Sequence, residues 1–142
     1  MMTTIISILL FSTFAFLAGI HFYWAFGGRW GSQAVFPTKN DIIEQKLPGV
    51  LPTLIVAFGL LAIGFFVLKK GAVLNFEIPS WLDKYGLWGI AGIFIIRAIG
   101  DFKYAGFFKK IKYTKFGIND TKYYSPLCLL LGILTIIMIL NQ

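Results

Sequence analysis

A helix that crosses a bilayer needs about 20 predominantly apolar residues, and this 142-residue chain contains four such runs in succession. They cover about residues 3–26, 51–68, 81–101 and 125–140. Inside hydrocarbon there is no water to meet unpaired backbone N–H and C=O groups, so each run satisfies them internally as a helix. The expected fold is all-α, a four-helix transmembrane bundle, with residues 1–142 forming a single integral membrane domain. The composition agrees, since 58% of the residues are hydrophobic and 13% charged, against about half and about a quarter in an average soluble domain. A net charge of +7 is therefore read first as the charge of cytoplasmic loops, not as a nucleic-acid footprint.

Local signals set the helix ends. Gly27 and Gly28 end the first run, and the second is entered through Pro48 and Pro52 and stopped by Lys69, Lys70 and Gly71. In SWLDK, Ser80 is placed to cap the third helix with Asp83 answering it three residues later. Ser125 is placed as the cap of the fourth, with Pro126 in its first turn. The leader MMTT has no Lys or Arg and precedes an apolar core longer than that of a signal peptide, so the first run is expected to stay as a span. For close helix approach, the pairs Ala15/Gly19 and Cys128/Gly132 and glycines 86, 89, 92 and 100 are the candidates.

Orientation follows from Lys and Arg, which accumulate in cytoplasmic loops. The loops after the first and third runs hold nine, whereas Lys69, Lys70 and Lys84 make three on the other side. Both termini are thus expected outside the cell (inner, cytoplasmic) membrane, although the Lys69–Lys70 pair by itself points the other way. In the outer loop NFEIPSWLDKYG, Phe76, Ile78, Trp81 and Tyr85 are interfacial anchors.

Polar residues inside the runs are the candidates for function. Arg97 and Asp101, in RAIGDFKY, lie about 24 and 30 Å along the third helix from Trp81 at 1.5 Å per residue, near the cytoplasmic lip. Tyr104 continues the same helical face. His21 lies about 27 Å along the first helix from Thr3, at similar depth, and Tyr124 enters with the fourth helix from that side. Two readings of Arg97 and Asp101 stand. One is an arginine that snorkels to water beside a neutralising carboxylate; the other is a pair that lines a ligand or ion site. As a helix-stabilising ion pair it is weak, about 0.2–0.5 kcal/mol, and in the less favourable order. An arginine within a span costs about 2.5–3.5 kcal/mol. His21 is likewise either an interfacial residue bonded to a neighbour or a proton-handling group in a polar pocket.

The third loop interleaves Lys109, Lys110 and Lys112 with aromatic residues. Such a segment lies in the headgroup layer with its ammonium groups toward anionic lipid, or it expresses only charge bias and an aromatic belt. With its rings needed at the membrane, it is not expected to bind nucleic acid. One cysteine, Cys128, and one histidine leave too few ligands for a thiolate or bis-histidine site, so no metal and no cofactor are expected. Cys128 is a small packing residue.

HFYWAFGGRWG, RAIGDFKYAGFFKK and FGINDTKYYSPLCLLLG together resemble, in order, an uncharacterised bacterial family of small membrane proteins, domain of unknown function 3995. The likeness covers nearly the whole chain. It implies a four-helix bacterial membrane protein and no particular activity. The positions that match its motifs include His21, Trp24, Arg97, Asp101, Asp120, Tyr124 and Pro126, which adds Asp120 to the candidates.

Three functions fit these features. The first is a binding or accessory protein holding a lipid-like or anionic amphiphile, its head in a polar pocket made by His21, Arg97, Asp101, Tyr104, Asp120 and Tyr124 at the cytoplasmic side. Membrane lipids are then the expected partners, with a homo-oligomer or a membrane-protein partner left open. The second is a membrane-embedded enzyme with Asp101 or His21 as acid/base groups, although no zinc-protease, nucleophile-elbow or phosphate-loop motif occurs. The third is a small proton-coupled exporter, disfavoured because the centres of all four runs lack carboxylates.

Overall fold

The computed structural model describes residues 1–28, 49–100, 118 and 120–142, and among them every regular element is helical. The helices are α1 (Met2–Ala25), α2 (Val50–Lys70), α3 (Ser80–Ile99) and α4 (Ser125–Leu140). A π-helical turn, Asp120–Tyr124, leads directly into α4. Three segments, Met2–Ala25, Val50–Lys70 and Lys122–Leu140, are long and apolar enough to cross a membrane. α3 has 20 residues but carries Asp83, Lys84 and Arg97.

The helix ends follow local chemistry. Gly27 and Gly100 take left-handed φ values of 99° and 91°, which a residue without Cβ adopts at little cost. α2 ends differently. Ala72, not glycine, takes the left-handed position with φ 61°, and Val73 N donates to Leu68 O at 3.0 Å. Gly71 has an ordinary φ of −84° and is needed for another reason, given below.

Two expected caps are not made. Asp83 N donates to Pro79 O at 3.0 Å, which places Pro79 at the cap position and Ser80 inside the helix. The Asp83 carboxylate turns away to two lysines. At α4, Ser125 is not a cap but a fully buried residue within a continuous helical segment. Pro126 has no N–H to give the preceding turn, and widening that turn to π geometry accommodates the missing bond.

The chain divides into two compact units. The first comprises Met1–Gly28, Pro48–Ala91 and Ile133–Gln142. Within it α1 and α2 run antiparallel. Thr4 Oγ1 donates to Gly71 O at 2.9 Å, the Phe11 and Phe65 rings meet at 5.4 Å, and the Phe22 and Phe58 rings meet edge to face at 5.2 Å. α1 contributes Ser7, Leu10, Phe14 and Ala18, all buried, spaced three and four residues apart on one face. α2 answers with Thr53, Ala57 and Gly64. A Cβ on Gly64 would stand 2.9 Å from Phe11 Cδ2, and one on Gly71 would strike the Ser7 side chain and lie 3.2 Å from Thr3 O. Hydrocarbon offers helices no hydrophobic drive to associate, so small residues that let backbones approach supply the packing. The seam therefore runs through Gly64 and Gly71. Gly19, Gly89 and Gly92, expected at close approaches, have nothing within 4 Å of a built Cβ.

The hydroxyls of Ser12 and Thr13 are satisfied by their own helix. Ser12 Oγ donates to Ile8 O at 2.8 Å and Thr13 Oγ1 to Leu9 O at 3.0 Å, which is how such residues are tolerated in lipid. The outward faces are greasy: Ile8, Leu9 and Phe16 on α1, Ile55, Phe58 and Phe65 on α2, and Leu129, Leu130 and Ile133 on α4 are exposed. A water-soluble monomer does not carry so much contiguous apolar surface. The second unit comprises Arg29–Leu47 and Gly92–Gly132. Its described part is the second half of α3, with Phe94 and Ala98 buried, and the first half of α4, with Ser125 and Leu131 buried.

Candidate functional site

At one end of the first unit, the start of α1, the end of α2, the start of α3 and the end of α4 come together. Lys69 Nζ and Lys70 Nζ each lie 3.3 Å from the same oxygen, Asp83 Oδ1, and Lys70 Nζ also donates to Asp83 O at 3.1 Å. Gln142 Nε2 donates to Lys70 O at 2.8 Å, and Thr4 holds Gly71 as described. Lys69 and Lys70 are largely buried, with 20% and 14% of their side chains exposed, whereas Asp83 is 46% exposed. Next to them, Lys84 Nζ stands 5.3 Å from the centre of the Tyr85 ring.

The residues singled out from sequence are divided between the two units. His21 is half-buried between Ala18 and Ala25 on the buried face of α1. Its Nδ1 is 2.7 Å from Leu17 O. A carbonyl only accepts, so Nδ1 carries the hydrogen in this contact. The ring packs edge to face on Trp24 at 5.3 Å. Arg97 lies in the last turn of α3; it is half-buried and its Nη1 is shielded from solvent. Tyr124, half-buried, closes the π turn, and Cys128, half-buried, follows one turn into α4. Arg97, Tyr124 and Cys128 belong to the second compact unit, His21 to the first. Asp101, Tyr104, Lys109, Lys110, Lys112 and the side chain of Asp120 lie outside the described residues. Among the described residues, no three His, Cys, Asp or Glu side chains group as metal ligands would.

Sequence reasoning missed the Lys69–Asp83–Lys70 cluster by assigning Asp83 to a helix cap. The signal was present nonetheless. The end of α2 and the start of α3 are close in sequence, so KKG and SWLDK face each other across a short connection.

Bilayer-length helices with apolar exteriors define a helical integral membrane protein. The chain belongs to the family described as "Protein of unknown function (DUF3995)", which it matches over residues 14–135. No curated protein and no solved structure matches the chain.

Proposed function

We propose that this is a four-crossing membrane protein that binds an anionic, lipid-like amphiphile with its head near Arg97. Parity supports the fourth crossing. α1 starts, α2 ends and α4 ends at the same end of the first unit, where Thr4 bonds Gly71 and Gln142 bonds Lys70. With α4 taken as a crossing, which its length and apolar composition allow, an odd number of crossings is needed between Asp83 and Lys122. α3, about 30 Å long at 1.5 Å per residue, is the segment able to make one. Loop charges then set both termini outside the cell membrane.

The observation that carries the binding role is the position of Arg97. It lies in the last turn of α3, and an arginine within a span, at a cost of about 2.5–3.5 kcal/mol, marks a functional candidate. A half-buried guanidinium presents several donors in a rigid fork, a geometry that matches a carboxylate or phosphate head. Asp101, Tyr104, Asp120 and Tyr124 are the further polar groups proposed around that head, and Lys109, Lys110 and Lys112 would draw it from the headgroup layer.

Native mass spectrometry of gently extracted protein tests the reading. The parent should retain an anionic amphiphile, and Arg97→Ala should lower its retention about tenfold or more, as expected for a charged hydrogen bond of about 1.5–3 kcal/mol. Arg97→Lys should recover only part of it. Equal retention by Arg97→Ala would refute the role.

A further inference from the structure

α2 and α3 enclose a groove of about 210 Å³ lined by Ala62, Ile63, Phe66, Leu82, Gly86 and Ile90. All six are apolar. From Leu82 to Ile90 it runs about 12 Å along α3, and Gly86 keeps it open where the edge of the Phe66 ring lies against the α3 backbone. Lys69 and Lys70 follow Phe66 by three and four residues, so they continue the same α2 face one turn further, at the mouth of the groove. There, two ammonium groups share one carboxylate oxygen, leaving the mouth with an excess positive charge. Both contacts, at 3.3 Å, are longer than the about 2.7–2.9 Å of a tight N⁺–H···O⁻ bond. Each ammonium has three donors; among the described residues Lys69 uses one, and Lys70 uses two.

We propose that this groove holds an acyl chain of an anionic phospholipid whose phosphate meets Lys69 and Lys70. An apolar slot one helical turn below a loosely paired cationic mouth matches the order of tail and head in a phospholipid. A second helix is a poorer occupant, because burying apolar side chains gains little in lipid and the slot offers no polar group to hold a helix. The site lies at the other end of α3 from Arg97 and stands without the role proposed for that residue.

The test uses the full chain, exposed in detergent to phosphatidylglycerol and phosphatidylcholine with identical chains, with bound lipid read by native mass spectrometry. Phosphatidylglycerol should be retained in preference. Lys69→Gln should lower that preference about fivefold, the effect of one lysine at an anionic headgroup. Asp83→Asn, which removes the competing carboxylate and leaves both cations, should raise it. Ala62→Trp, on the exposed side of the groove, should displace both lipids, and Arg97→Ala should change nothing. The proposal is overturned if Asp83→Asn loses phosphatidylglycerol as Lys69→Gln does, which would make the cluster purely structural. It is also overturned if Ala62→Trp abolishes a dimer and leaves lipid binding unchanged, which would make a second copy the occupant.

Discussion

Replacing Gly71 by alanine adds one methyl group where α1 and α2 come closest. The new Cβ would collide with the side chain of Ser7 and lie 3.2 Å from Thr3 O. Ser7 is fully buried and its hydroxyl donates to Thr4 O at 2.8 Å, so it cannot swing aside, and a backbone oxygen can yield only if α1 moves. Overpacking of this kind costs about 1–3 kcal/mol. Moving α1 also breaks the bond from Thr4 to Gly71 O, which adds about 0.6 kcal/mol by the average for membrane proteins. The expected loss is therefore about 1.5–3.5 kcal/mol. Unfolding in mixed micelles of increasing dodecyl sulfate content, followed by fluorescence of the tryptophans, measures it. Gly19→Ala and Gly89→Ala are the matched controls: a Cβ at either meets nothing within 4 Å, so the better helix former should be neutral or stabilise by up to about 1 kcal/mol. If Gly71→Ala falls within about 0.5 kcal/mol of these controls, the seam has been placed wrongly.

Ala72→Gly should stabilise the protein by about 1 kcal/mol in the same titration, because Ala72 is exposed and holds a left-handed φ that costs an L-residue about 1–2 kcal/mol. Phe14→Ala should cost about 3–5 kcal/mol, since Phe14 is fully buried on the α1 face toward the core. Phe16→Ala, two residues on and 68% exposed to the lipid side, should leave stability nearly unchanged, and an equal loss at both would mean that α1 is rotated.

The helices were legible in the sequence because bilayer thickness and backbone satisfaction leave a long apolar run one option. Their ends were legible where glycine follows the last turn, as at Gly27, whereas Gly100, expected inside the third run, takes φ 91° just after the last residue of α3. The seam was not legible. Small residues recur on several faces of these helices, and periodicity alone cannot say which face meets a neighbour, so Gly19 and Gly89 looked as good as Gly64 and Gly71. Caps failed for a related reason: a motif such as Ser80 to Asp83 records local chemistry, and two lysines brought in by α2 outcompete a backbone N–H for the carboxylate. Of the candidate site, the face that His21 shares with Ala18 and Ala25 was not read from the sequence, where only its distance along the helix was considered. The α2–α3 groove was not readable there, because it depends on the tertiary pairing of Phe66 with Gly86.

Both binding proposals depend on which membrane face each end of the helices reaches. Single cysteines introduced into a Cys128→Ser background at Glu77, Asn141, Lys39 and Lys112, and probed in intact cells with a membrane-impermeant maleimide, measure this directly. Glu77→Cys and Asn141→Cys should label from outside, and Lys39→Cys and Lys112→Cys only after permeabilisation. Labelling of Glu77→Cys and Asn141→Cys from opposite sides would contradict the fourth crossing.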